Sequence, residues 1–278
     1  MLCRIFGKLP LSQLVTGRPE VWRLVVYYSL LAAVVWLHHV CTGRNKESRG
    51  VRRLILRGRE HLVEMKCRIQ ERSPAGERIC AAGVKIAGVL LYLGLCWVLF
   101  LWRDTGDFAF TMLDVGQGQS VYIKSDGENL LYDGGSTDVS QVGKYRIVPF
   151  LKASGVGSLD AVIVSHMDAD HYNGITQILE EELMDIKCLM LPRLPKPDEA
   201  YEKLCALADR KGVRIQYLAR GDQFETGETV CTVWHPAQDY TAADRNDASL
   251  VIQMTHGEFS LLLTGDVEQE GEEQMLSG

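Results

Sequence analysis

The sequence lacks several features that would assign the protein to a well-known class directly. It has eight cysteines but no Cys-x-x-Cys pair, which argues against a disulfide framework and against a zinc-thiolate site. Only three cysteines follow residue 103, so they cannot all pair with one another. We interpret the thiols as buried or unreactive. No internal repeat and no low-complexity tract is present.

The sequence has two parts that lack opposite charges: the first has few acidic residues and the second has few basic residues. Residues 1–102 contain 6 acidic against 16 basic residues, and residues 103–278 contain 14 basic against 30 acidic residues. The formal net charge of −6 therefore combines a segment of +10 with a segment of −16. Such asymmetry indicates two different environments along one chain.

The basic part contains two long apolar runs, at residues 21–41 and 81–102. Each has about the length needed to cross a hydrocarbon core of roughly 30 Å. Buried core helices are the alternative, but little else in the chain could cover them. Neither run has the pattern of a cleaved signal peptide. We predict two transmembrane helices with aromatic residues near their ends: Trp22, Trp36, Trp97 and Trp102.

The loop between these runs is strongly basic, with eleven Lys and Arg against five Asp and Glu in residues 43–80. The positive-inside rule keeps such a loop in the cytoplasm. An amphipathic helix resting on anionic lipid would give the same orientation. We therefore predict a multi-pass membrane region at residues 1–103, followed by an extracytoplasmic domain at residues 104–278.

The acidic part alternates between strand-like and helix-like patterns. Residues 107–135 and 213–266 are mostly strand-like, whereas residues 142–212 alternate between helices and short apolar strands. The run LDAVIVSH is continuously apolar, as expected of a strand buried on both faces. This order predicts an α/β fold with sheets covered by helices.

The stretch SHMDADHYNG follows that buried strand directly and holds four side chains that bind metals. We expect the strand to end at His166 and a helix to begin near Asn173. Alternate side chains, such as His166 and Asp168, could then converge, while Asp170 and His171 point to a second position. Two metal ions would suit this arrangement. The alternative is that Asp170 caps a helix and the histidines only form hydrogen bonds.

Two further carboxylates end strands elsewhere in the chain. Asp133 follows a strand in LLYDGGS, and Asp266 follows one in LLLTGD. Three strands that each end at a residue able to bind a metal form a more specific pattern than any one of them alone.

These motifs together resemble the metallo-β-lactamase superfamily, with Asp133, SHMDADH and Asp266 in the corresponding order. Including TMLDVGQGQSVYI and NDASLVIQM, the sequence more narrowly resembles the carboxyl-terminal domain of ComEC-type DNA-internalisation competence proteins. The resemblance covers residues 107–270 and, less strongly, residues 1–102. It implies an αββα sandwich, which we expect to be incomplete at its C-terminus, preceded by two transmembrane helices in a bacterial cell membrane.

The sequence departs from the superfamily's pattern at several positions. Asp168 occupies the place of the second histidine of H-x-H-x-D-H, and an oxygen ligand shifts the preference from zinc towards harder ions such as Mn²⁺. The single later histidine has no clear counterpart. Asn246 or Asp247 is favoured for that position, with His235 as the alternative. The final histidine motif has no match, which suggests a fragment of a longer protein or a split reading frame.

The resemblance also implies roles for the matched residues. Two divalent ions, zinc or manganese, would be held by a set in which Asp266 bridges the ions. Asp170 would be catalytic by orienting the nucleophilic water, and Asp133 would orient a ligand histidine from behind. The expected metal ligands are His166, Asp168, Asp170, His171 and Asp266.

Three functions remain open from the sequence. The first is a membrane-anchored metal-dependent hydrolase that acts on DNA phosphodiesters during DNA uptake, with DNA, the lipid bilayer and other uptake components as partners. The second is a non-catalytic component of a DNA-uptake channel, and the third is a hydrolase of another extracellular phosphoester. The charge of −16 after residue 102 is unfavourable for gathering phosphates.

Overall fold

The computed structural model describes residues 15, 17–42, 90–98, 108–241 and 244–276. The chain divides into two compact units, one within residues 19–103 and one that combines residues 1–18 with residues 104–278. The predicted basic loop at 43–80 lies outside the described residues, as do most of the second apolar run and the predicted boundary near residue 103.

The first unit contains the helix α1 (Val21–Thr42) and a helical segment at residues 90–98. Several large apolar side chains of α1 are more than half exposed, among them Val21, Tyr28 and Trp36. Within the described residues, no helix meets the combined length and hydropathy needed to span a bilayer.

Twelve strands and four α-helices form the second unit among its described residues, besides two short helical turns at Gly143–Ile147 and Asn246–Ala248. In chain order they are β1 (Phe108–Met112), β2 (Val121–Ser125), β3 (Glu128–Tyr132), α2 (Val148–Ala153), β4 (Ser158–Leu159), β5 (Ala161–Ile163), α3 (Ala169–Glu181), β6 (Asp185–Ile186), β7 (Cys188–Pro192), α4 (Glu199–Arg210), β8 (Arg214–Leu218), β9 (Gln223–Thr226), β10 (Thr229–His235), β11 (Val251–His256), β12 (Phe259–Leu263) and α5 (Gln269–Leu276).

Two sheets form the centre of this unit. The larger sheet has the order β1-β2-β3-β5-β7-β8, with antiparallel pairing from β1 to β3 and parallel pairing from β3 to β8. The smaller sheet is antiparallel in the order β12-β11-β10-β9. The carboxyl ends of β3 and β5 therefore meet at one edge of the larger sheet, where α/β proteins commonly place ligands.

Alternate residues of the larger sheet pack into two separate cores. Leu131 and Val162 face the core shared with the helices, whereas Tyr132 and Ile163 face the core between the two sheets. This alternation follows from the two-residue period of a strand. In α3, the buried Ile175, Ile178 and Leu179 lie on one face, which packs on the larger sheet. Packing on both faces of the larger sheet thus holds the ends of its strands in place.

The predicted α/β organisation is confirmed, and a few local predictions need correction. The alternation of apolar and polar residues around 108–112 predicts a half-buried strand, but β1 is largely exposed because it forms the edge of its sheet. β5 ends at Ile163 instead of His166, and α3 begins at Ala169 instead of near Asn173. The short strand β9 and the acidic helix α5 were not predicted from the sequence, because neither has a strong hydrophobic period.

Candidate metal centre

The candidate site lies where strands of both sheets end. Asp133 follows β3, His166 follows β5 by three residues, and His171 lies on the first turn of α3. Asp266 follows β12 of the smaller sheet. The ends of strands from the two sheets and the first turn of α3 therefore bring these side chains to one place.

Asp133 is the buried anchor of the site. Its side chain is fully buried, and its backbone has a positive φ of 56°, which turns the chain sharply after β3. Its Oδ1 accepts the backbone N–H of Ser165 at 2.7 Å, and its Oδ2 accepts the Ser165 hydroxyl at 2.7 Å. The same Oδ2 lies 2.9 Å from Nδ1 of His171. Several hydrogen bonds thus compensate for burying this carboxylate.

The hydrogen bonds of Asp133 also fix the orientation of both histidines. Since Asp133 accepts from Nδ1 of His171, the proton of a neutral ring is on Nδ1 and its Nε2 can bind a ligand. Ser165 uses its only proton towards Asp133, so its Oγ can accept from Nδ1 of His166 at 3.0 Å. Both imidazoles then present an unprotonated Nε2, which is the form that binds metals.

Three ligand atoms come together in this arrangement. One ligand atom each from His166, His171 and Asp266 lie within 4.8 Å of one another, and the two rings have centroids 4.1 Å apart. Nε2 of His171 is 3.2 Å from Oδ2 of Asp266. Two imidazoles and one carboxylate are a ligand set that zinc and similar divalent ions accept.

A buried polar atom without a partner supports a metal at this position. Nε2 of His166 is buried and has no hydrogen-bond partner among the described residues. Leaving such an atom unpaired is costly, and a metal ion would satisfy it. The residues present therefore fit a divalent ion.

The two histidines differ in basicity. Burial lowers the pKa of His166 below its ordinary value, and the neighbouring charge of His171 lowers it further. Burial also opposes a charged His171, but the hydrogen bond that its Nδ1 donates to Asp133 and the charges of Asp133 and Asp266 outweigh burial and raise the pKa of His171.

The predicted ligands Asp168 and Asp170 lie outside this group in the described residues. Oδ1 of Asp168 is 3.3 Å from Nη1 of Arg245, whose Nη2 is 2.7 Å from Asp198. Oδ2 of Asp168 is 3.7 Å from Nε2 of His166. Asp168 stands at the N-cap position of α3, yet its side chain caps no N–H there. Metal binding by these two carboxylates stays a prediction.

The residues considered for the later ligand position take part in other contacts. Oδ1 of Asp247 accepts the backbone N–H of Gly271 in the first turn of α5 at 3.1 Å. Nδ2 of Asn246 donates to Glu268 at 2.9 Å. Nδ1 of His235 is 2.9 Å from the carbonyl oxygen of Ser249, and burial lowers the pKa of this histidine. None of these residues belongs to the ligand group found in the described part of the chain.

Sequence reasoning missed the residues that support the ligands. Ser165 connects Asp133 to His166, and the hydroxyl of Ser249 lies 3.3 Å from Nδ1 of His166. Arg245 pairs with Asp168 from a loop 77 residues away. The only local signal was the position of Ser165 directly before His166, since a buried serine at a strand end needs a partner.

Two glycines allow the segments of the site to approach closely. A Cβ at Gly135 would collide with the backbone of Asp170 at the start of α3. Gly265 has a φ of 56°, and a Cβ there would lie 2.7 Å from Cβ of Ser165. Both positions need glycine for the ligands to meet.

Part of the chain is similar in sequence to curated competence proteins. ComE operon protein 3 of Bacillus subtilis (strain 168) is 32% identical over 181 residues, which are 60% of this chain and 23% of that protein. Competence protein ComA of Neisseria gonorrhoeae is 28% identical over 178 residues, which are 60% of this chain and 21% of that protein. The chain thus spans less than a quarter of the length of these curated relatives.

Among solved structures, the metallo-beta-lactamase fold protein YhfI from Bacillus subtilis has 19% identity and a TM-score of 0.37, covering 56% of this chain and 62% of that one. The profile of the metallo-beta-lactamase superfamily matches residues 113–278, more than half of the chain. The chain belongs to the metallo-β-lactamase superfamily, and its domain is homologous to domains of competence proteins.

Proposed function

We propose that this chain is a membrane-anchored, metal-dependent hydrolase that acts on DNA phosphodiesters during DNA uptake. The observation that carries the hydrolase part is the ligand group of His166, His171 and Asp266, in which His166 has a buried and unpaired Nε2. Membership of the superfamily implies divalent-metal binding. The link to DNA uptake rests on the competence proteins that resemble the domain.

Two divalent ions, zinc or manganese, are the proposed cofactors. His166, His171 and Asp266 would hold the first, and Asp168 and Asp170 are the further carboxylates proposed for the second, with the half-exposed Asp266 shared between the two ions. Bound there, such ions supply Lewis acidity and a nucleophile at neutral pH. The hydrogen bonds of Asp133 and Ser165 to the Nδ1 atoms leave the Nε2 atoms of both histidines facing this position.

Asp170 is the proposed catalytic carboxylate. It is half-buried one residue before His171, and its charge contributes to the raised pKa of that histidine. Within the described residues its side chain has no hydrogen-bond partner, so a carboxylate oxygen can accept the proton of the attacking water.

Anchoring and orientation are proposed from the sequence. The apolar runs at 21–41 and 81–102 would cross the bilayer, and the basic loop at 43–80 would remain in the cytoplasm. Residues 104–278 would then face the outside, where incoming DNA is met. DNA, the bilayer and other uptake components are the proposed partners.

One observation favours a second candidate, a non-catalytic component of a DNA-uptake channel. Asp168 is paired with Arg245, so only three ligand side chains come together in the described residues. The acidic charge after residue 102 also opposes contact with phosphates unless bound cations offset it.

The test is metal content and DNA cleavage by the full chain, with His166→Ala, Asp170→Ala and, as a matched control, Asp209→Ala on the exposed face of α4. We expect stoichiometric Mn²⁺ or Zn²⁺, and cleavage reduced at least about a hundredfold in the first two variants only, because each removes a ligand or the proton acceptor. Folded protein without stoichiometric metal and without cleavage would favour the channel component. Cleavage of a simple phosphodiester but not of DNA would indicate another phosphoester substrate.

A further inference from the structure

A cavity of about 260 Å³ opens beside the metal ligand His166. Its walls come from the loop after β7 and from described residues between β10 and β11, at 240–241 and 244–248. The apolar part of the wall includes Pro192, Leu194 and the ring of Tyr240. The charged part consists of Lys196, Asp198, Asp244 and Arg245.

The charged groups of this cavity are not equally available to a ligand. Arg245 lies between Asp168 and Asp198, at 3.3 and 2.7 Å, so two carboxylates already balance its charge. Oδ1 of Asp198 accepts the backbone N–H of Tyr201, and Oδ1 of Asp244 accepts that of Asn246. Lys196 is exposed and has no hydrogen bond or ion pair with any residue that the structure describes. An unpaired ammonium beside a metal centre is suited to a phosphate group.

The apolar wall is suited to a flat ring. Tyr240 is half-buried, and its ring packs edge-on against His235 with centroids 5.0 Å apart at 67°. Burial raises the pKa of Tyr240 to about 12, so its phenol carries no charge that would repel a phosphate at neutral pH. Bases stack on such aromatic side chains without a strong preference for sequence.

The size of the cavity limits its occupant. Pockets for drug-sized ligands measure roughly 300–1,000 Å³. A cavity of about 260 Å³ admits one nucleotide-sized group rather than a base pair.

We propose that this cavity is the subsite for the nucleotide unit next to the scissile bond, with Lys196 on its phosphate and Tyr240 against its base. This inference rests on the function proposed above and assigns substrate-positioning roles to two residues outside the ligand group. Arg245 keeps Asp168 and Asp198 in place and leaves the phosphate to Lys196.

The first test measures binding without catalysis. The full chain is titrated with a fluorescein-labelled oligothymidylate in EDTA, using Lys196→Gln and the control Lys203→Gln, whose ammonium pairs with Glu199 on the outside of α4. We expect affinity to fall about tenfold in Lys196→Gln, the order of one charge-assisted hydrogen bond, and to stay unchanged in Lys203→Gln. Equal losses in both variants, no loss in Lys196→Gln, or no binding by the unmodified chain would each overturn the subsite.

The second test separates the base from the backbone. Tyr240→Leu should weaken binding of the oligothymidylate about fivefold or more, because the variant loses the stacking of one base. The same variant should bind an abasic oligonucleotide as tightly as the unmodified chain does. An equal loss with both probes would assign Tyr240 to the architecture of the loop and contradict base contact.

Failure of this inference can be distinguished from failure of the proposed function. Binding that depends on Lys196, in a chain that never cleaves DNA with Mn²⁺ or Zn²⁺, would overturn hydrolysis and leave the subsite standing. Metal-dependent cleavage with the same KM in Lys196→Gln and the unmodified chain would leave hydrolysis standing and overturn the subsite.

Discussion

The two sheets contribute to the candidate site in different ways. The larger sheet and the helix α3 that packs on it supply Asp133, His166 and His171, which are all buried and joined by hydrogen bonds of Asp133 and Ser165. The smaller sheet supplies Asp266, whose side chain is 51% exposed. The buried side chains of Asp133, His166 and His171 are therefore fixed by the fold, whereas the exposed side chain of Asp266 can adjust to a ligand.

Polar residues at the end of β10 and in the segment after it have different partners from those of Asp133. Oδ1 of Asp247 accepts an N–H of α5, and Nδ1 of His235 contacts the backbone carbonyl of Ser249. A buried carboxylate orients ligands on one side of the site, and a buried carboxylate holds a helix on the other. The comparison teaches that burial and acidity alone do not identify a functional residue, since the partners decide its role.

The largest effect is expected at Asp133. Asp133→Ala would leave the Ser165 N–H, the Ser165 hydroxyl and Nδ1 of His171 without their acceptor. We expect the free energy of unfolding to fall by about 3–5 kcal/mol, as for other broken buried pairs. Urea denaturation of the full chain measures this, with the exposed Asp209→Ala as the control. A loss no larger than that of the control would contradict the anchoring role.

The next effect concerns metal affinity. Ser165→Ala removes the hydroxyl that joins Asp133 to His166 but leaves all the ligand atoms in place. We expect the affinity for Zn²⁺ or Mn²⁺ to fall about tenfold, as is usual when the support of a ligand is lost. Competition with a coloured chelator measures it, and Ser260→Ala on β12 is a control outside the site. Unchanged affinity in Ser165→Ala would show that the ring of His166 needs no support from Ser165.

A smaller effect is expected at Asp247. Asp247→Ala removes the side chain that accepts an N–H in the first turn of α5, which should cost about 1 kcal/mol of the free energy of unfolding. Metal affinity should not change, in contrast to Ser165→Ala. The exposed Glu258→Ala is the control for urea denaturation. A tenfold loss of metal affinity in Asp247→Ala would instead place this residue in the metal centre.

The smallest effect is a pH dependence at His235. Burial lowers the pKa of this histidine in the folded chain, so the unfolded chain takes up the proton first as the pH falls below about 6.5. Its contribution to stability is therefore present above about pH 6.5 and is lost as the pH falls towards the folded pKa. Removing this ring should make the acid-induced loss of stability smaller, by less than about 1.4 kcal/mol per pH unit.

His235→Gln tests this expectation in the metal-free chain, with unfolding measured from about pH 8 down to about pH 5. Near pH 8, the difference in free energy of unfolding between the variant and the unmodified chain reports only the contacts that the variant lacks. His171 acts with the opposite sign, since its raised pKa gives a contribution that is lost as the pH rises through it. If the free energy of unfolding depends on pH in the same way in the variant and in the unmodified chain, His235 is excluded as a source of acid sensitivity.

The sequence predicted the ends of β3 and β12 better than the turn that leads from β5 into α3. Asp133 and Asp266 follow β3 and β12 as expected, because short apolar strands are recognised by composition. The alternation argument for Asp168 and Asp170 assumed extended chain up to Asn173. Since α3 begins at Ala169, neighbouring side chains instead fan around a helix. The pairing of Asp168 with Arg245 is a long-range contact without a local signal.

The dependence of both histidines on one carboxylate has an evolutionary consequence. A substitution at Asp133 would be felt by His166, through Ser165, and by His171 at the same time. Their ligand properties therefore cannot drift separately, and this half of the site offers no gradual route to a new metal preference. Asp266 shares no hydrogen bond with Asp133 or Ser165 in the described residues, so its exchange would leave the hydrogen bonds that orient both rings in place.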